Sequence, residues 1–158
     1  MSEKKYAGFW LRFVAYIVDK ILISTVQWIV ILPVLGALGI SMASMENMEY
    51  MSEEDAIGMV IGMVSTMIGS ILVAYVIELI YFSLMEASKY QASIGKMALG
   101  LKVTDTDGKP LDFGKALLRN LGKIVSQMII YIGYIMAGLT EKKQALHDMI
   151  AGALVVKK

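Results

Sequence analysis

The sequence predicts a mostly helical membrane protein: two transmembrane helices, a third apolar helical region and a short two-stranded β element. Two observations carry the prediction of spans. Residues 21–45 and 56–77 contain no charged side chain, and each run exceeds the roughly 20 residues needed to cross about 30 Å of hydrocarbon. The chain is also 57% apolar with a mean hydropathy of +0.63, above the roughly 45–50% apolar content of soluble domains. A soluble helical core would need charged faces along these segments, and the sequence supplies none. A third observation marks the β element, since apolar and polar residues alternate over 99–104, at strand spacing.

The whole chain, 1–158, reads as one membrane domain. Span 1 covers about 6–40, an outer loop 41–55, span 2 about 56–85, an inner strand and loop 91–112, the third helical region 113–140, and a C-terminal segment 141–158. Orientation follows from the distribution of base. No Lys or Arg falls between Ile21 and Ser88, whereas the outer loop carries Glu46, Glu49, Glu53, Glu54 and Asp55. The positive-inside rule then places the N-terminus in the cytoplasm and the acidic loop outside. The first apolar run is too long for a signal-peptide core, and Asp19 and Lys20 interrupt it, so it is expected to be retained as a span.

Within span 1, Pro33 removes a backbone hydrogen bond and predicts a bend near the outer end. Gln27, near mid-membrane, is expected to face another helix. Ser52 followed by three acids suits the start of span 2, with the hydroxyl as N-cap and the acids complementing the helix dipole. Span 2 carries Gly58, Gly62, Thr66, Ser70 and Ala74 at four-residue spacing. Small residues so placed let backbones approach, either within one copy or between copies.

After span 2 the character changes. The strand over 99–104 ends in an Asp107-Gly108 turn, and 151–156 reads as a second strand able to pair with it. The third apolar region is flanked by base on both sides, with Lys115 and Lys123 before it and Lys142 and Lys143 after it. This favours a non-crossing arrangement over a third span: an interfacial helix from 113 to about 125, then a re-entrant hairpin over 127–139, broken near Gly133 or Gly138.

Counting residues inward from the outer ends puts Asp19 and Glu78 at one depth, near the inner edge of the hydrocarbon. Arg12 lies two helical turns before Asp19, on nearly the same face. A charge facing lipid costs at least about 2.5–3.5 kcal/mol near the bilayer centre, so these groups must face protein or water. Arg12 is expected to pair with Asp19 or with Asp148, because a guanidinium fork suits a carboxylate. Arg119, His147 and Asp148 map to the same inner layer, with Lys20 and Lys96 beside them. Asp19 and Glu78 are the candidates for coupling to an ion or proton. A carboxylate that alternates between a proton and a small cation is the minimal exchange site. Arg12, Asp148, Arg119 and His147 are the candidates for ion pairing or gating.

Several classes are not expected. One histidine and no cysteine leave little for zinc. Gly95-Lys96 lacks the upstream glycine of a phosphate loop. His147 and Asp148 are neighbours whose side chains should diverge rather than form a catalytic dyad. No enzyme activity, cofactor or metal site is therefore expected, and a net charge of +1 points to no nucleic-acid partner. The expected partners are the lipid bilayer, a monovalent cation or proton, and further copies of the chain, since two or three helices hardly enclose a pathway. The competing class is a non-transporting adaptor or regulator of another membrane protein, its methionines supplying an adaptable surface.

Three stretches also resemble one family. They are GFWLRFVAYIVD at 8–19, ASIGKMALGLKVTDTDG at 92–108 followed by LLRN at 117–120, and ALHDMIAGALVV at 145–156. Together they are similar to the RDD family of small bacterial membrane proteins, named for one Arg and two Asp. The resemblance implies that Arg12, Asp19 and Asp148 are those three residues. It also implies a place in the cytoplasmic (inner) membrane of a bacterium and a transport-related role, cation/proton antiport having been proposed for some members. Ala153 stands where the family usually has Thr.

Overall fold

The computed structural model describes residues 5–37, 52–129 and 132–158. Their elements, in chain order, are α1 (Phe9–Ala37), α2 (Glu53–Ala87), α3 (Ile94–Ala98), β1 (Leu101–Asp105), α4 (Phe113–Met128), α5 (Ile132–Leu139), α6 (Leu146–Ile150) and β2 (Ala153–Lys157). Among the described residues two helices are long and apolar enough to cross a membrane, over Phe9–Pro33 and Glu53–Ala87, and there are three candidates if the bent pair over Phe113–Gln127 and Ile132–Leu139 counts as one span. At 1.5 Å per residue the 35 residues of α2 reach about 52 Å, well beyond the hydrocarbon. The end of the expected span 1, and the expected outer loop as far as residue 51, lie outside the described residues.

The chain divides into two compact units, one made of Met1–Leu22 with Glu78–Lys158 and the other of Ile23–Ile77. In the Ile23–Ile77 unit Gln27 meets another helix as expected, its Nε2 donating to the Ala74 carbonyl at 2.8 Å. Ser52 Oγ caps α2 by accepting the Asp55 N–H at 3.2 Å. Gly58 and Gly62 face open space, for a Cβ added at either would meet no described atom within 4 Å.

The larger unit is built around strands. β1 and β2 pair antiparallel from Leu101↔Lys157 to Asp105↔Ala153. The other edge of β2 is covered by the residues before α1: Tyr6 bridges Val156, Ala7 N–H donates to the Val155 carbonyl at 2.8 Å and Lys157 N–H to the Lys5 carbonyl at 2.9 Å. β2 is therefore the middle strand. Its Ala153 and Val155 join Ala7, Ala15, Leu101, Val103, Leu111, Ala116 and Ala151 in a small apolar core.

The helices around this core are inside out. On α4 the inward face carries Arg119, Asn120 and Ser126, all buried, while Leu118, Leu121, Ile124 and Val125 are exposed. On the last turns of α2 Ser83 and Glu86 are fully buried and Leu84 is exposed. A water-soluble helix shows the reverse pattern. Exposed apolar faces over polar interiors are what lipid contact requires.

The bend in the third region falls just before Gly133, near which it was expected, and not at Gly138, through which α5 runs. α4 ends at Met128, three residues later than expected, α5 begins at Ile132, and the two are bent by 108°. Gly133 serves close packing, because a Cβ there would lie 2.6 Å from Ser126 Oγ.

Candidate functional site

The polar side chains of the larger unit converge on one buried network. Arg12 sits in the first turn of α1 and uses every edge of its guanidinium. Nε donates to the Ala7 carbonyl at 2.8 Å, Nη1 pairs with Asp148, and Nη2 donates to the Lys143 carbonyl at 2.5 Å. Lys143 has φ 48°, a left-handed conformation that costs a side-chain-bearing residue about 1–3 kcal/mol. The Arg12 bond holds that turn, and the turn delivers α6 with Asp148.

Asp148 is fully buried. One oxygen takes Arg12 Nη1 and the Ala145 N–H at 3.1 Å, and the other takes Arg119 Nε at 2.8 Å. Burial alone would raise this carboxyl, but Arg119 and then Arg12 outweigh it and hold it far below the usual carboxylate range. Arg119, 2% exposed, reaches onward with Nη1 to both oxygens of Glu86 at 2.7 and 2.6 Å. Glu86 also pairs with Lys96 and accepts from Asn120 Nδ2 at 3.2 Å. Burial pushes the Lys96 ammonium below its ordinary value, with Glu86 opposing. Among the described residues a single buried side-chain atom, Asn120 Oδ1, lacks a partner, so the network is close to saturated.

Of the two expected partners, Arg12 takes Asp148. Asp19 is fully buried too, yet it forms none of the ion pairs recorded among the described residues. Three uncharged donors meet it: Tyr81 OH at 3.0 Å, Ser93 Oγ at 2.5 Å and the Gly95 N–H at 2.7 Å. Gly95 is required here, since a Cβ would collide with the Ala15 carbonyl and come within 3.0 Å of Asp19 Cγ. Glu78 pairs instead with Lys20 at 2.5 Å, in a partly exposed position.

His147 is 3% exposed. Burial first, then the charges of Arg119 and Lys123, push its imidazole down to about 3, against the pull of Asp148. The sequence suggested that the two neighbours diverge. Instead His147 Nε2 lies 3.6 Å from Asp148 Oδ1, while Nδ1 is 3.3 Å from Ser126 Oγ. Sequence reasoning gave Glu86 no site role. Its signal was an acid closing an otherwise apolar run, LIYFSLMEA, which looks like an ordinary helix end. Lys123 was noted only as a base of the interfacial helix. Its Nζ lies 3.9 Å from the Phe82 ring centroid.

A cavity of about 260 Å³ adjoins the network, with Arg12, Asp19, Lys96, Arg119, Lys123 and His147 in its wall beside Phe13, Tyr16, Phe82 and Tyr134. No group of three or more His, Cys, Asp or Glu able to hold a metal occurs among the described residues.

The sequence profile of the RDD family matches residues 6–152. The chain is 37% identical to the uncharacterized protein YxaI of Bacillus subtilis (strain 168) over 155 residues, covering 98% of this chain and 99% of that one. It is 29% identical to the uncharacterized membrane protein YteJ of the same strain over 154 residues, covering 96% and 80%. A proline-rich antigen homolog of Mycobacterium tuberculosis is 33% identical over 66 residues, 41% of this chain and 28% of that one. No solved structure matches.

Proposed function

Because the chain belongs to the RDD family, we propose that it is a transport-related protein of a bacterial inner membrane that exchanges a proton against a small cation at Asp19. One observation carries this reading. Asp19 is a fully buried acid bordering the cavity, and uncharged donors hold it. Glu86 and Asp148 are locked by guanidinium and ammonium groups, and releasing either would strand a buried cation at a cost of about 3–5 kcal/mol. Asp19 can change its occupant without breaking an ion pair. The hydroxyls of Tyr81 and Ser93 can rotate to accept where they now donate.

In this scheme the ionic network fixes the geometry of the site. Lys20 and Glu78 form a more exposed pair that supports Asp19. Arg12, Arg119, His147 and Asp148 tune or gate it. The network faces the cytoplasm, in keeping with the absence of Lys and Arg from 21–88, and two or more copies together enclose the path.

Flux in proteoliposomes tests the reading. The parent protein should couple cation addition to proton movement, and Asp19→Asn should abolish this while the protein inserts and melts like the parent. Full flux in Asp19→Asn overturns the assignment. Absence of flux in the parent, with one stoichiometric membrane partner co-purifying, favours the adaptor role instead.

A further inference from the structure

The cavity beside the network changes character across its wall. Phe13 and Ile135, 43% and 49% exposed, lie in it together with Arg119 and His147, 2% and 3% exposed. It therefore connects exposed apolar side chains to a buried basic floor. Charge on that floor does not balance. Arg12, Lys96, Arg119 and Lys123 line the cavity; the acids that line it or pair with these cations are Asp19, Glu86 and Asp148. Four basic side chains face three carboxylates. The odd one is Lys123, which takes part in none of the ion pairs recorded among the described residues and rests on the Phe82 ring; burial pushes it down to about 7, and an anion beside it would hold its proton.

We propose that this cavity binds a single-chain amphiphile with an anionic headgroup, a carboxylate or a phosphate, with Lys123 meeting the headgroup. Beside Lys123 a cation is disfavoured by like charge, whereas Asp19, elsewhere on the wall, is held by uncharged donors. A free inorganic anion would gain Lys123 but would leave water for walls that are mostly aromatic and aliphatic. An amphiphile satisfies both ends. The volume of about 260 Å³ lies below the roughly 300–1,000 Å³ of pockets that enclose whole drug-sized ligands. Only the headgroup and the first carbons fit, and the rest of the chain leaves past Phe13 and Ile135. Binding of this kind is separate from exchange at Asp19 and does not require it.

Displacement of the fluorescent fatty acid cis-parinarate tests this, with the full chain in phosphatidylcholine nanodiscs and empty nanodiscs as baseline. Dodecyl phosphate should displace the probe. Dodecanol should need at least about tenfold more, the worth of one charged hydrogen bond, and inorganic phosphate should not displace it. Lys123→Gln should weaken dodecyl phosphate by about tenfold or more without changing dodecanol, and Lys123→Arg should bind like the parent. Ile135→Trp narrows the exposed side of the cavity at a position that tolerates bulk, and should weaken both amphiphiles. The proposal is overturned if dodecanol matches dodecyl phosphate, if inorganic phosphate displaces equally well, or if Ile135→Trp binds as the parent does. The ligand series and Ile135→Trp decide the matter even where Lys123→Gln fails to fold.

Discussion

Arg12 and Asp148 stand 136 positions apart in the chain and form a buried ion pair. The pair ties the first turn of α1 to the first turn of α6. Arg119, on α4, extends the tie to Glu86 at the end of α2, so four helices share one set of charges.

Removing either end of that tie should be costly. Arg12→Ala and Asp148→Asn are each expected to lower stability by about 3–5 kcal/mol, since each leaves buried charge without its partner. Asp148→Asn should be the worse, because Asp148 serves two guanidinium groups and Arg12 serves one acid. Unfolding in detergent, followed by helical circular dichroism, gives the order; equal stability of parent and variants would contradict it.

Stability should fall in mild acid because of His147. Its folded value is about 3, against an ordinary value of 6.5. Between those values the unfolded chain binds a proton that the folded chain does not, so stability is fully present above about pH 6.5 and is lost as pH falls toward 3. The slope from this group approaches about 1.4 kcal/mol per pH unit. Melting the parent and His147→Gln across pH 4–7 should show a shallower dependence in the variant. Asp148 adds a similar loss only in stronger acid, below the ordinary carboxylate value, because its own shift is also downward.

Gly95 and Gly58 should respond in opposite ways to one methyl group. Gly95→Ala drives a Cβ into the Ala15 carbonyl and against Asp19, and overpacking of this sort costs about 1–3 kcal/mol or more. Gly58→Ala meets open space and should be neutral or stabilising by up to about 1 kcal/mol from helix propensity. Thermal melts of the two variants side by side provide the check.

Lys20 and Glu78 should separate stability from activity. Their pair is partly exposed, and such pairs contribute about 0–1 kcal/mol. Glu78→Gln should therefore melt close to the parent. If Glu78 supports Asp19, proton-coupled flux falls in this variant all the same, and proteoliposome assays on matched protein amounts will show it.

Much of this was legible in the residues. Uncharged runs located both long helices, and alternation at 99–104 with its apolar partner at 151–156 located both strands to within two residues. Arg12, Asp19 and Asp148 stood out because charge in an apolar setting demands a partner. The choice between Asp19 and Asp148 for Arg12 was not legible, because it depends on donors that carry no charge. A Gly95 N–H and two hydroxyls occupy Asp19, and nothing in their residue types announces an acid nearby. The choice between Gly133 and Gly138 for the bend was not legible either. Glycines usually mark a break, but Gly138 lies inside α5, and Gly133, just past the bend, is needed where α5 packs on Ser126.

β2 follows both of its neighbours in the chain yet lies between them. During synthesis the β1 edge and the segment at Tyr6 and Ala7 must wait, unpaired, for a strand not yet made. A nascent or truncated chain thus offers two bare peptide edges, each a template for another molecule's strand. A chain cut short before β2 should therefore be drawn toward edge-to-edge aggregates.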